Sequence, residues 1–317
     1  MEIHAPILVT GSTGMVGSAV VRLLRQEGFD NIHAPSRNDL DLSDQASVSD
    51  YFSRTKPRHV LMIAAKVGGI GANIADPVGF IDQNLRITLN LYAACKQFLT
   101  EKNLFLGSSC MYPRQSPQPM REDHLMQGPV EPTNEAYALA KLAGVKLAQY
   151  YWHQHKMLTV CPIPSNIYGT GDHFDLKNSH VLSALVRRFV DAVDEGTRSV
   201  AVWGTGSARR EFTHVDDVAR GVLFFMRSVH APDHLNLGPG TDVSIRELAE
   251  TIAAKTGFGG EIAWDVSKPD GMPRKVMDIE KLNELGFCTS VGIEEGIERT
   301  IAEYRALKLA SNGQVPR

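Results

Sequence analysis

The stretch "LVTGSTGMVGSAV" restricts the fold more than any other feature of the chain. Gly11, Gly14 and Gly17 stand at GxxGxxG spacing between an apolar run, "PILVTG", and an amphipathic run from Met15 to about Gln26. In a strand–turn–helix unit of this kind the first glycine permits the tight turn and the second lets backbone approach a pyrophosphate. The third lets helix and strand pack closely, and the helix N-terminus faces the phosphates. The spacing predicts a dinucleotide cradle made of Gly11, Ser12, Thr13, Gly14, Met15, Val16 and Gly17. A glycine turn without a ligand is the alternative, and the flanking strand and helix weigh against it.

The same alternation continues downstream. "NIHAPS", "HVLMIAA", "NLFLGSS" and "LTVCPIPSNIYG" read as strands, while "GFIDQNLRITLNLYAACKQFL" and "NEAYALAKLAGVKLAQYYWHQ" have helical apolar spacing. Apolar strands separated by helices predict an α/β fold, with a Rossmann-like parallel sheet covered on both faces. After Gly169 the pattern loosens into the polar loop "GTGDHFDLKNS", followed by shorter strands and helices. A smaller α+β C-terminal lobe is expected there. The predicted division is residues 1–170 plus about 212–238 for the nucleotide domain, and about 171–211 plus 239–317 for a substrate domain.

Bulk composition excludes several classes. The formal charge is −3 with no long basic run, which argues against nucleic-acid binding. None of the four cysteines lies in a CxxC pair, so no metal is expected. No apolar run approaches the ~18 residues of a membrane span. The N-terminus enters a strand at once, and a cytoplasmic protein with free thiols is the expected class.

The end of the second strand distinguishes the cofactors. NAD binding calls for an acid there, to hold the ribose hydroxyls. "HAPSRNDLDL" instead offers Arg37 beside Ser36, and a guanidinium suits a 2′-phosphate, which favours NADPH. Asp39 and Asp41 keep NAD as the alternative, with Asp41 and Leu42 expected along the adenine.

Tyr137 and Lys141 lie an i,i+4 step apart on one predicted helix. An ammonium near a phenol favours the phenolate, so Tyr137 is expected to have a lowered pKa and to serve as acid/base. "GSSCMYP" sets Ser108, Ser109 and Cys110 where the fourth strand ends. A hydroxyl there can bond the same substrate oxygen as Tyr137, and only one of two adjacent strand residues faces a cleft. The bland readings are a polar strand end, a packed thiol and a chance YxxxK pair.

Together these residues resemble the extended short-chain dehydrogenase/reductase family. The blocks "AAKVGGIGAN", "FLGSSCMYP", "QPM", "EPTNEAYALAKLAG", "NSHVLSALVRRF", "VWGTG", "REFTHVDD" and "KPDGMPRK" are similar to its GDP-L-fucose synthase branch, across nearly the whole chain. The resemblance implies GDP-4-keto-6-deoxy-D-mannose as substrate, inversion of carbons 3 and 5, and NADPH-dependent reduction of carbon 4. It implies Cys110 as base, His180 as partner acid, Ser108 and Tyr137 on the enolate oxygen, and Lys141 holding the ribose. Ser109 is the alternative to Ser108. On the cofactor side it adds Ala64, Ala65, Pro164, Asn166, Ile167 and His180, with Lys66 to Gly71 near the nicotinamide. For the sugar nucleotide it implies Arg187, Arg210 and Lys275 at the diphosphate, Trp203 stacking on guanine or walling the sugar, and Asn166 and Asp278 as polar contacts. Arg188 and Arg209 are close alternatives. A homodimer through two long helices, about 81–99 and 132–152, is also implied.

Two departures stand out. Many bacterial relatives carry His-Arg where this chain has Ser12-Thr13, and "GTGDHF" replaces Gly-Pro-x-Asp-Asn-Phe, with His173 for the amide. A related enzyme making GDP-colitose, which inverts one carbon only, is the runner-up. A 4-epimerase and a redox-sensing Rossmann regulator are more distant rivals. The regulator class commonly loses the Tyr or the Lys, and both are present here.

Overall fold

A computed structural model describes residues 1–175, 179–231, 233–268 and 270–311. Part of the predicted loop "GTGDHFDLKNS" and the predicted end of the substrate domain at 317 lie outside the described residues.

Strands β1 (Ile7–Val9), β2 (Ile32–His33), β3 (His59–Met62), β4 (Lys102–Phe105) and β5 (Thr159–Pro164) follow the apolar runs. Next in the chain come β6 (Asn166–Tyr168), β7 (Ser199–Trp203), β8 (Arg209–Arg210), β9 (Phe212–His214) and β10 (His234–Leu237). A six-stranded sheet runs β10-β5-β4-β3-β1-β2, parallel at every pairing. Strands β3, β4 and β5 are buried along their whole length, as a doubly covered parallel sheet requires. The strand order reverses between β1 and β3, and the crevice at such a switch point is where an open α/β sheet binds ligand.

Helices α1 (Met15–Gln26), α2 (Gln45–Thr55), α3 (Ile70–Ala75), α4 (Pro77–Gln97), α5 (Glu135–His155), α6 (Val181–Glu195) and α7 (Val215–Ser228) connect these strands. Asp44 caps α2 through the N–H groups of Ala46 and Ser47, and Asp76 caps α4 through that of Gly79, with Pro77 in the first turn. One core packs α1 and α7 on the sheet through Val16, Val20, Leu24, Val218 and Val222. A second packs α2, α4 and α5 on the opposite face through Phe52, Leu91, Tyr92 and Val145. Each such buried side chain contributes about 1.5–3 kcal/mol of transfer free energy.

The remaining elements are β11 (Val243–Ser244), α8 (Ile245–Thr256), β12 (Glu261–Asp265), β13 (Arg274–Lys275), α9 (Glu280–Glu284) and α10 (Ile293–Ala310). Here β7 pairs with β12, β8 lies between β11 and β13, and β6 pairs with β9. A third core gathers α6, α8 and α10 around Phe189, Ile252 and Tyr304. The chain then returns to the large sheet: Met277 joins its second core, and Leu282 and Phe287 its first. Among the described residues no helix is long and apolar enough to cross a membrane.

Candidate active site

The turn after β1 is built for close approach. Gly11 has φ +70°, and a Cβ there would lie 2.9 Å from the Cα of Ala64, at the end of β3. A Cβ on Gly17 would lie 2.0 Å from the Gly11 carbonyl oxygen. Gly14 differs: its N–H donates to that oxygen at 3.0 Å, but its own Cβ position meets nothing nearer than 3.5 Å. The open side of the turn is therefore the side a phosphate would approach. Helix α1 has no side-chain cap and no acid in its first turn, so the N–H groups there face outward at the positive end of the helix dipole.

At the second strand the charges sort themselves. Asp39 accepts from the Ser36 N–H (2.9 Å) and hydroxyl (2.6 Å), bonds that hold its carboxyl below the ordinary range. Asp41 bonds the Ser43 N–H at 2.9 Å, and the Leu42 carbonyl accepts from Asn90 at 2.9 Å. Arg37 is exposed and has no partner among the described residues. The available charge is thus cationic, which fits a 2′-phosphate. Ser12 spends its hydroxyl on the Pro35 carbonyl (2.9 Å), tying the turn to this loop, while Thr13 is exposed. Lys66 pairs with Asp76 at 2.6 Å, and its backbone is held by Asn84.

Strand β4 ends in a single 3₁₀ turn, Ser109–Met111. Gly107 leads into it where a Cβ would crowd Met111 and the Pro162 carbonyl. The turn separates the two serines: Ser108 is half-buried and accepts the Cys110 N–H at 3.3 Å, whereas Ser109 is 3% exposed. Ser108 also stands beside the Tyr137 phenol, which comes from the first turn of α5. Ser108, rather than Ser109, is the hydroxyl beside Tyr137.

The expected lowering of the Tyr137 pKa is reversed. Burial of the hydroxyl pushes it up, the neighbouring Cys110 adds to that, and the Ser108 hydroxyl only partly offsets both. The reason is the orientation of Lys141. Its ammonium donates to the Leu106 carbonyl at 2.7 Å and lies over ring faces, 4.9 Å from the Phe105 centroid and 5.9 Å from that of Tyr137. Burial brings Lys141 down to about 8. Tyr137 is consequently a neutral O–H donor at physiological pH.

Two donors surround the Cys110 sulfur. The Asn134 amide nitrogen is 3.2 Å from it and the Lys275 ammonium 3.9 Å. His180, at the N-cap of α6, makes none of these contacts. Its Nδ1 faces Asp172 at 3.7 Å. The Asp172 carboxyl is buried; it accepts from the Ser183 hydroxyl, and its nearness raises the His180 pKa against the opposing effect of burial. An imidazole that holds its proton more tightly is suited to an acid's role.

Strands β8 and β13 arrange the remaining cations. Their register pairs Arg210 with Lys275 and Arg209 with Arg274. The second pair converges on Asp242, and Arg209 also reaches Glu247, so Arg209 is structural. Arg188 bonds the Ala201 carbonyl at 2.9 Å. Arg187 is partly committed, to the Phe174 carbonyl (2.9 Å) and beside Asp191 (3.5 Å). Arg210 bonds the Arg209 and Met272 carbonyls, and burial pulls its guanidinium below the ordinary value. Trp203 is 63% exposed, with Lys268 over its ring. The Asn166 amide donates to the Glu211 carbonyl at 2.8 Å, and Asp278 accepts the Glu280 N–H at 2.9 Å. Pro164 and Ile167 follow from the end of β5 into β6.

Three residues of this region escaped the sequence reading: Asn134, Asp172 and Glu211. Each lies inside a quoted block or loop, but nothing in its spacing distinguishes it. Glu211 is 1% exposed, bonds the N–H groups of Gly240 and Met277 at 2.8 Å each, and is pushed up by burial to about 7.

Known proteins resemble this chain at three levels: family profile, sequence and structure. The sequence profile of the NAD dependent epimerase/dehydratase family matches residues 7–238. A curated Arabidopsis thaliana protein described as GDP-L-fucose synthase 1 is 47% identical over 300 residues, 95% of this chain and 93% of its own length. The GDP-L-fucose synthase of Escherichia coli (strain K12) is 43% identical over 303 residues, covering 93% and 94%. Among solved structures, a GDP-L-fucose synthetase from Naegleria fowleri bound to NADP superposes with a TM-score of 0.90 at 27% identity, covering 99% of this chain and 98% of that one.

Proposed function

The chain belongs to the NAD dependent epimerase/dehydratase family, and from that membership we propose that it converts GDP-4-keto-6-deoxy-D-mannose to GDP-L-fucose. The reaction inverts carbons 3 and 5 and then reduces carbon 4. NADPH, when bound, supplies the hydride for that last step. The glycine turn and the start of α1 would hold its pyrophosphate, Arg37 its 2′-phosphate, and Lys141 its ribose. Asp41, Leu42, Ala64, Ala65, Pro164, Asn166 and Ile167 would line the rest of its site, with His180 at the boundary with the sugar.

The protons on carbons 3 and 5 are acidified by the neighbouring ketone. Cys110 removes one from one face, and His180 returns one to the other. Ser108 and Tyr137 donate to the oxygen that becomes enolate, where a single aligned donor is worth about 3–4 kcal/mol. After both inversions the Tyr137 hydroxyl gives its proton to the oxygen on carbon 4. Arg187, Arg210 and Lys275 are the cations nearest in kind to a diphosphate site, with Trp203, Asn166 and Asp278 for the rest of the sugar nucleotide. The observation that carries this reading is the convergence on one strand end: a half-buried thiol with two donors on its sulfur, beside a serine–phenol pair.

We also propose a cytoplasmic homodimer. Free cysteines support the compartment. Helices α4 and α5, packed together with Leu89, Leu139 and Tyr150 exposed, support pairing with a second copy.

The test is incubation with GDP-4-keto-6-deoxy-D-mannose in heavy water, with and without NADPH. Deuterium at carbons 3 and 5, with GDP-L-fucose formed only when NADPH is present, is the expected result. Label at carbon 5 alone would point to the colitose-type reaction.

A further inference from the structure

An asparagine at a helix N-cap ordinarily bonds an amide of the first turn. Asn134 occupies that position on α5 and makes no such bond. Its amide nitrogen is directed instead at the Cys110 sulfur, 3.2 Å away, and its Oδ1 is buried with no partner among the described residues. On the other side of the sulfur stands Lys275, 3.9 Å away. The β8–β13 register fixes that lysine, and Glu211 fastens the segment: its N–H donates to the Lys275 carbonyl at 3.2 Å, and its carboxylate accepts the Met277 N–H. Lys275 is therefore held toward a thiol and not left on a loose surface strand.

We infer that Asn134 and Lys275 are positioning residues for Cys110, acting on the sulfur in both of its protonation states. The inference rests on Cys110 being the epimerisation base. Such a base must be a thiolate before it takes the substrate proton and a thiol afterwards. A carboxamide suits this cycle: its N–H₂ donates to the thiolate, and turned about its last bond its oxygen accepts from the S–H. The unpartnered Oδ1 is the group left over when the nitrogen is the one engaged. The Lys275 ammonium is the second donor, on the other side of the sulfur. A lysine that served only the substrate diphosphate would have no need to approach the sulfur.

The test uses the free enzyme with no sugar nucleotide present. Iodoacetamide alkylation at pH 7 is followed residue by residue by mass spectrometry. Exposed Cys288 is the internal reference, and Cys95 and Cys161 are buried. In Lys275→Met and in Asn134→Leu the Cys110-to-Cys288 rate ratio is expected to fall about tenfold, and in Lys275→Arg to stay within about threefold of wild type. Asn134→Asp, which places a carboxylate at the sulfur, is expected to lower the ratio at least as far as Asn134→Leu. Far-UV circular dichroism and NADPH binding establish that each variant is folded. If Asn134→Leu is not, Asn134→Asp and the Lys275 pair decide. An unchanged ratio in folded variants, with only a raised KM for the sugar nucleotide in Lys275→Met, would assign Lys275 to the diphosphate and overturn the inference. The two readings fail separately. A lowered ratio combined with normal deuterium wash-in by Cys110→Ser would leave the sulfur's surroundings as described while removing its role as base.

Discussion

Replacing Asp172 by asparagine isolates one cause of the His180 charge state. The carboxylate lies 3.7 Å from His180 Nδ1 and is the leading influence raising its pKa, while burial opposes it. Two unit charges about 4 Å apart attract by about 4 kcal/mol at an effective dielectric near 20. The imidazole is 47% exposed, so solvent screening removes much of this. Asparagine keeps an acceptor for Ser183 but removes the charge. The alkaline limb of the epimerisation profile, read as deuterium wash-in, is expected to move toward acid, with the loss of rate largest on the alkaline side and small in acid. Stability carries the same sign. A raised histidine pKa stabilises the fold fully below the ordinary value near 6.5, and that contribution is lost as pH rises through the folded value. The Tm difference between the two proteins is therefore largest below pH 6 and closes in alkali. A uniform loss of rate at every pH, with the limb unmoved, would refute the pairing.

Other substitutions test separate parts of the account. Arg37→Ala is expected to raise the KM for NADPH about 10–100-fold and leave that for NADH nearly unchanged, because a charge-assisted bond is worth about 1.5–3 kcal/mol; steady-state kinetics with both cofactors checks it. Tyr137→Phe removes the phenol beside Ser108 and is expected to slow NADPH oxidation about 10²–10⁴-fold, while NADPH binding, followed by fluorescence, persists. Lys102 lies inside the large sheet and donates to the carbonyls of Phe225 (2.8 Å), Met226 (2.7 Å) and Val229 (2.6 Å) at the end of α7. Lys102→Met strands those acceptors at a cost of about 3 kcal/mol. Thermal unfolding is expected to show a Tm lower by roughly 6–12 °C, with kinetics at low temperature preserved.

The parallel sheet was legible because its signals are local. A glycine turn after an apolar run, and strands buried on both faces, leave the same mark wherever they occur. The helices predicted at 81–99 and 132–152 exist as Pro77–Gln97 and Glu135–His155; the shifts come from Asp76 and Pro77, which cap α4, and from the 3₁₀ turn that precedes α5. What escaped depends on residues distant in the chain. Lys275 reads as one more cation until β13 aligns beside β8, and the choice between Arg209 and Arg210 becomes decidable only when Asp242 is seen to claim Arg209. Asn134 looks like a helix cap, which is the commonest use of that residue type at that position. Asp172 lies in a loop whose partner, His180, is met only after the loop closes. The direction of the Tyr137 shift is not legible in the sequence for a related reason. The i,i+4 spacing puts Lys141 on the right face, but it does not reveal that its ammonium donates to the Leu106 carbonyl.

The central claim is that one oxygen-gripping pair serves both halves of the reaction while Cys110 serves the first alone. Cys110→Ser separates them. Deuterium wash-in at carbons 3 and 5 is compared with NADPH-dependent reduction of the already inverted 4-keto sugar nucleotide. Wash-in is expected to fall at least about a hundredfold, and reduction to stay within a fewfold of wild type. Equal loss of both would contradict the claim.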